Sequence, residues 1–156
     1  MIKMRTLAKI FITVAVFSLA ACSIPESPGI IADTIRGFAN KCTLKCPSRV
    51  TPVPNPNYQK TFNGCGSKGI TVDPSKLPRP QFEQCCNSHD YCYDTCNIKK
   101  DECDTAFRNC MLIACGNAFD CDTKVCKANT EAFYNIVKQL GCSSYLEAQK
   151  GACLCK

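Results

Sequence analysis

Tryptophan is absent from the 156 residues, and histidine occurs once. The first absence removes the indole anchors suited to a membrane–water interface. The second excludes a multi-histidine metal centre and leaves His89 as the one imidazole available for proton chemistry near neutral pH. There is no Asn-x-Ser/Thr sequon, internal repeat or low-complexity tract. Long apolar runs are also missing, apart from Ile10–Ala21, and that run of about 12 residues falls short of the roughly 20 a membrane-spanning helix needs.

Lys3, Arg5 and Lys9 precede that run with no acid among them, the pattern of an export signal over residues 1–21. Cleavage fits near Ala20 or Ala21, or just after Cys22. Leu19-Ala20-Ala21-Cys22 also resembles a bacterial lipoprotein box, in which the cysteine would be acylated. The formal charge of +6 counts these leader cations, and without them 16 basic residues face 13 acidic ones, a balance of +3. Such a surface gives no electrostatic reason to bind nucleic acid and only weak attraction to anionic membranes. A secreted protein with no transmembrane segment is expected, active as a monomer.

What is abundant is cysteine, 16 in all. That density marks a disulfide scaffold in an exported chain. Cys42-x3-Cys46, Cys92-x3-Cys96 and Cys153-x-Cys155 imitate zinc-ligand pairs, but a single histidine and an export signal favour oxidation.

One domain is expected over residues 30–156. Ile31, Ile35 and Phe38 recur at helical spacing and predict a short helix near 30–40. Residues 42–80, with Pro47, Pro52, Pro54 and Pro56 and no sustained period, read as loop. Within them Gly64, Gly66 and Gly69 free the backbone to turn its carbonyls inward. From Gln81 the spacing changes. Phe82, Cys85, Cys86, His89, Cys92, Tyr93 and Cys96 follow one helical face, and Cys103, Phe107, Cys110, Met111 and Ala114 follow another, with Asp101 and Glu102 at its dipole-favoured start. Cys85 with Cys110 and Cys92 with Cys103 have equal sums of residue number, as facing positions of an antiparallel helical hairpin must, with the turn near Asn97 and Ile98. Phe133, Ile136, Val137 and Leu140 predict a further helix ending at Gly141, followed by a short clamped tail from Ser143 to Cys155. The fold class is mainly α: a small disulfide-rich domain with two pinned antiparallel helices, a loop and further short helices.

His89 belongs to the face that looks toward the second helix, whereas Asp90 is turned about 100° away. The hairpin register sets Asp104 within a turn of the imidazole, where a carboxylate can fix the tautomer and leave the other ring nitrogen as a general base. Asp90 is then free for a hard cation, with the carbonyls of Gly64–Gly69 as further oxygen donors. Each feature also has a plainer reading: a lone histidine as filler, Asp104 as a cap, the glycines as a turn.

Cys85-Cys86-x-x-His89-Asp90-x-Cys92-Tyr93 resembles the active-site helix of secreted phospholipases A2. Asn63-Gly-Cys-Gly-Ser67, Asp101-Glu-Cys-Asp104 and the terminal Leu140-Gly-Cys through Cys153-Leu-Cys155 are similar to the group XII branch and cover most of residues 30–156. The resemblance implies calcium-dependent hydrolysis of the sn-2 ester of glycerophospholipids at a membrane or micelle surface. It assigns His89 as the base on water, Asp104 as its orienting partner and Tyr93 as a donor to that aspartate. It assigns the Gly66 amide to the oxyanion, and Asp90 with the carbonyls of Gly64, Gly66 and Lys68 to Ca²⁺. It also implies the bridges Cys65–Cys86, Cys85–Cys110 and Cys92–Cys103. A non-catalytic member of the branch lacks the histidine that this chain keeps. Ser67-Lys68 at the loop tip departs from the glycine-richer loops of other branches and predicts weak calcium binding; the missing tryptophan predicts slow turnover on vesicles. Cys22 and Cys121 exceed the branch's cysteine set; they could pair if cleavage spares Cys22, and otherwise Cys121 is left odd and could link chains. The competing reading is a weakly active or non-catalytic secreted protein that binds a lipid or a receptor on the same scaffold.

Overall fold

The computed structural model describes residues 42–156 apart from 48, 68 and 69. The helix expected near 30–40, the export signal and Cys22 all lie outside the described residues. Four helices carry the described part: α1 Phe82–Tyr93, α2 Lys100–Cys115, α3 Cys121–Leu140 and α4 Cys142–Ala152. Two-residue strands flank them. β1 (Val53–Pro54) pairs antiparallel with β4 (Cys153–Leu154), and β2 (Gly66–Ser67) pairs antiparallel with β3 (Ile70–Thr71).

The disulfide-rich, mainly helical class expected from the cysteine count is what the chain adopts, with seven bridges among the described residues. Helices α1 and α2 form the hairpin, bridged by Cys85–Cys110 and Cys92–Cys103. Its turn passes through Asn97 at φ 67, a left-handed conformation that asparagine tolerates. Gln149 secures that turn from α4, donating from Nε2 to the carbonyls of Tyr93 and Thr95 while its Oε1 accepts from the Asn97 amide.

The main core lies between α1, α2 and α3. Phe82 and Met111 are fully buried, Phe107 joins them, and Phe133 of α3 meets Phe82 edge-on at 6.1 Å. Cys115–Cys126 ties α3 to α2, and Cys46–Cys155, Cys42–Cys142 and Cys96–Cys153 fasten the C-terminal segment. The zinc-like cysteine pairs are therefore dispersed into separate disulfides. Among the described residues no helix is long and apolar enough to cross a membrane.

Two segments are more helical than the apolar pattern predicts. Helix α3 begins at Cys121, three turns before Phe133, with Asp120 as its N-cap accepting from the Thr123 amide. The expected clamped tail is helix α4. In both, the buried stripe contains polar residues, Thr123 and Thr130 in α3 and Gln149 in α4, and this hides the period.

Candidate active site

Periodicity brings His89 to the inner face of α1, where its side chain is 8% exposed against Phe107 at 4.7 Å between ring centroids. The ring Nε2–H donates to Asp104 Oδ1 at 3.0 Å, and Asp104 is itself 1% exposed on α2. Tyr93, one turn beyond His89, donates its hydroxyl to the same oxygen at 2.6 Å. This arrangement selects the tautomer: Nε2 keeps the proton, so Nδ1 is the nitrogen able to accept one. Burial pushes the Asp104 carboxyl up, but hydrogen bonds from His89, Lys100 and Tyr93 outweigh it and hold the group below the ordinary carboxylate range. Burial, reinforced by the neighbouring Asp104 charge, raises the Tyr93 phenol far above its ordinary value, so it serves as a neutral donor.

Asp90 faces the other way, toward the glycine-bearing loop. Its Oδ2 accepts the Asn63 amide at 3.0 Å, and Asn87 Oδ1, one turn earlier, accepts the Gly64 amide at 3.1 Å. Cys65–Cys86 adds a covalent link between the same two segments. Gly64 has φ 76, a conformation that costs most other residues about 1 kcal/mol or more. Burial raises the Asp90 carboxyl despite the Asn63 amide, which pulls it down. Gly66 and Asp90 line one cleft of about 420 Å³, together with Tyr58, Phe62, Tyr93 and Asp94. Asp94 ties down Tyr58 and Thr61, which line the same cleft, by accepting the Tyr58 hydroxyl and the Thr61 amide, each at 2.8 Å.

His89, Tyr93 and Asp104 thus meet at one point, and Tyr93 also lines the cleft that Asp90 and Gly66 share, whereas Gly64 is held through its amide by Asn87. Lys68 lies outside the described residues. Among the described residues, no three His, Cys, Asp or Glu side chains converge as a metal cluster. A cation here would depend on one carboxylate and backbone carbonyls, an all-oxygen set that fits a hard ion such as Ca²⁺.

Sequence reasoning missed Lys100, which is 7% exposed and donates from Nζ to Asp104 Oδ2. The i, i+4 spacing of Lys100 and Asp104 on the face that carries Cys103 and Phe107 was the available signal. Asn87 and Asp94, which dock the loop, were visible only as polar neighbours of the motif.

A model of the group XII secretory phospholipase A2 precursor matches residues 29–156. The chain belongs to this family. It is 33% identical over 130 residues to the mouse group XIIA secretory phospholipase A2, covering 80% of this chain and 67% of that protein. The human group XIIA protein is 33% identical over 129 residues, with 79% and 68% covered. The mouse group XIIB secretory phospholipase A2-like protein is 35% identical over 133 residues, again with 79% and 68% covered. No solved structure matches the chain. Overall identity does not separate the XIIA from the XIIB relatives.

Proposed function

We propose that this family member is a secreted, calcium-dependent phospholipase A2 that hydrolyses the sn-2 acyl ester of glycerophospholipids, releasing a fatty acid and a lysophospholipid. One observation carries the reading: the buried bond from His89 Nε2 to Asp104 Oδ1, which leaves Nδ1 as the basic nitrogen.

In this mechanism His89 Nδ1 takes a proton from water as the water attacks the ester carbonyl carbon. Asp104 stabilises the imidazolium that forms, and Tyr93 holds Asp104 in place. The proton then passes from His89 to the departing glycerol oxygen as the acyl–oxygen bond breaks. Asp90 and the carbonyls of Gly64, Gly66 and Lys68 would hold Ca²⁺, which when bound supplies Lewis-acid polarisation of the ester. The Gly66 amide donates to the developing oxyanion. The family name and the export-like leader support action at a phospholipid surface by a protein outside the cell, and the cleft that Asp90 and Gly66 line has the aromatic rings of Tyr58, Phe62 and Tyr93 for apolar contact.

Fatty-acid release from mixed phospholipid micelles tests the reading. Release is expected with millimolar calcium, to stop on chelation, and to fall by about 10²- to 10⁴-fold in His89→Gln. Activity that survives chelation would remove the calcium role. An inactive wild-type protein that still binds phospholipid would leave a binding protein on this scaffold.

A further inference from the structure

The buried lysine beside the His89–Asp104 pair needs a reason. Burying an ammonium is expensive unless it is well paired, and Lys100 is the first residue of α2, the end where a helix dipole opposes a cation. Its partners resolve both problems. Lys100 Nζ donates to Asp104 Oδ2 at 2.5 Å and to the Val137 carbonyl at 2.8 Å, with the Lys138 carbonyl at 3.5 Å. The two carbonyls belong to the last turn of α3, the end where a helix dipole favours a cation. One ammonium therefore joins the Asp104 carboxylate of α2 to the C-terminus of α3.

The packing around it is close. Gly141, just past α3, lies so near that a Cβ there would stand 3.0 Å from the Tyr93 hydroxyl, 3.3 Å from Lys100 Cε and 2.4 Å from the Val137 carbonyl oxygen. Glycine at this point lets the end of α3 approach two of the three donors to Asp104, Tyr93 and Lys100. The carboxylate is thereby divided. Oδ1 serves His89 and Tyr93, and Oδ2 serves Lys100, so it cannot rotate without breaking a bond to a buried group.

We propose that Lys100 is a positioning residue of the site: by holding Asp104 Oδ2 against the end of α3, it fixes Oδ1 on His89 Nε2. As a statement about rate it rests on the hydrolase reading above, but as a statement about geometry it does not.

The protein's single histidine makes the geometry measurable. The imidazole proton on Nε2 gives one downfield nitrogen-bound resonance in ¹⁵N-labelled protein, expected to be sharp and slow to exchange with water. In Lys100→Met it should broaden and exchange faster, while kcat on micelles falls about 10- to 100-fold with KM nearly unchanged. In an Asp104→Asn background, Lys100→Met should add little further loss, because the two act as a unit. If Lys100→Met fails to fold, Lys100→Gln carries the same expectations. An unchanged resonance with unchanged kcat, or an equal loss in the Asp104→Asn background, would overturn the proposal and leave Lys100 as an ordinary buried ion pair. If the wild-type protein releases no fatty acid, the hydrolase reading fails, and the resonance alone decides the role of Lys100.

Discussion

Around His89 every functional atom belongs to a side chain on a helix, and a second helix holds that helix through two disulfides. Around Asp90 the partners are the amides of Asn63 and Gly64, held by a carboxylate, an asparagine and one bridge. On the proposed reading, the hairpin positions proton chemistry through rotamers locked by packing. The loop positions backbone groups through conformation, and its control passes through glycine. Proton transfer should therefore depend on side-chain identity, and cation binding on backbone shape, so damage to one centre should be separable from damage to the other.

The strongest attempt to break this contrast is Asp104→Asn. The site should lose about 10²- to 10⁴-fold in kcat with calcium affinity unchanged, measured by micelle turnover and by calcium titration calorimetry. A large drop in calcium affinity would show that the two centres are one. Next come the disulfides. By the chain-entropy relation, Cys92–Cys103 and Cys65–Cys86 should each stabilise by about 3 kcal/mol, read from thermal or denaturant unfolding of paired Cys→Ala variants. Despite similar stability losses, opening Cys92–Cys103 should lower kcat and opening Cys65–Cys86 should weaken calcium binding; the same functional loss from both would erase the distinction.

A smaller effect is expected from Gly64→Ala. An added Cβ meets only Glu83 Oε1, at 4.0 Å, so the cost comes from φ 76, about 1 kcal/mol, and should register mainly as weaker calcium binding. The smallest effect is in acid. The Asp104 carboxyl lies below its ordinary value when folded, so its contribution is complete above the unfolded-state value and is lost as pH falls through the lower folded-state value. The unfolding-midpoint gap between the wild-type protein and Asp104→Asn should narrow below about pH 4. A gap that stayed constant would mean that the carboxylate charge adds nothing to stability.

Much of the hairpin was legible because its signals agree. A 3.6-residue apolar period, acids at the start of α2 and cysteine numbers of equal sum all describe one arrangement. Helix α4 was illegible for a specific reason: Gln149 occupies its buried stripe, and a buried amide reads as polar until the carbonyls of Tyr93 and Thr95 are seen to accept from it. The first turns of α3 were hidden in the same way. Thr130 is fully buried and donates its hydroxyl back to the Cys126 carbonyl, so a hydroxyl satisfied within the helix takes a core position.

By itself the sequence determined the oxidised small-domain class and the divergence of neighbours: on a helix, consecutive residues must diverge by about 100°, so His89 and Asp90 serve different partners. Only the tertiary structure decided which oxygen of Asp104 each partner takes, and that Lys100, which its i, i+4 spacing merely permits to reach Asp104, is buried with it. Lysine is ordinarily a surface residue, and its burial here depends on a long-range event: the last turn of α3 and Gly141 closing on the start of α2, 37 residues away from Val137 in the chain. No periodicity in α2 could record that approach, because the acceptors are backbone carbonyls, which every residue carries.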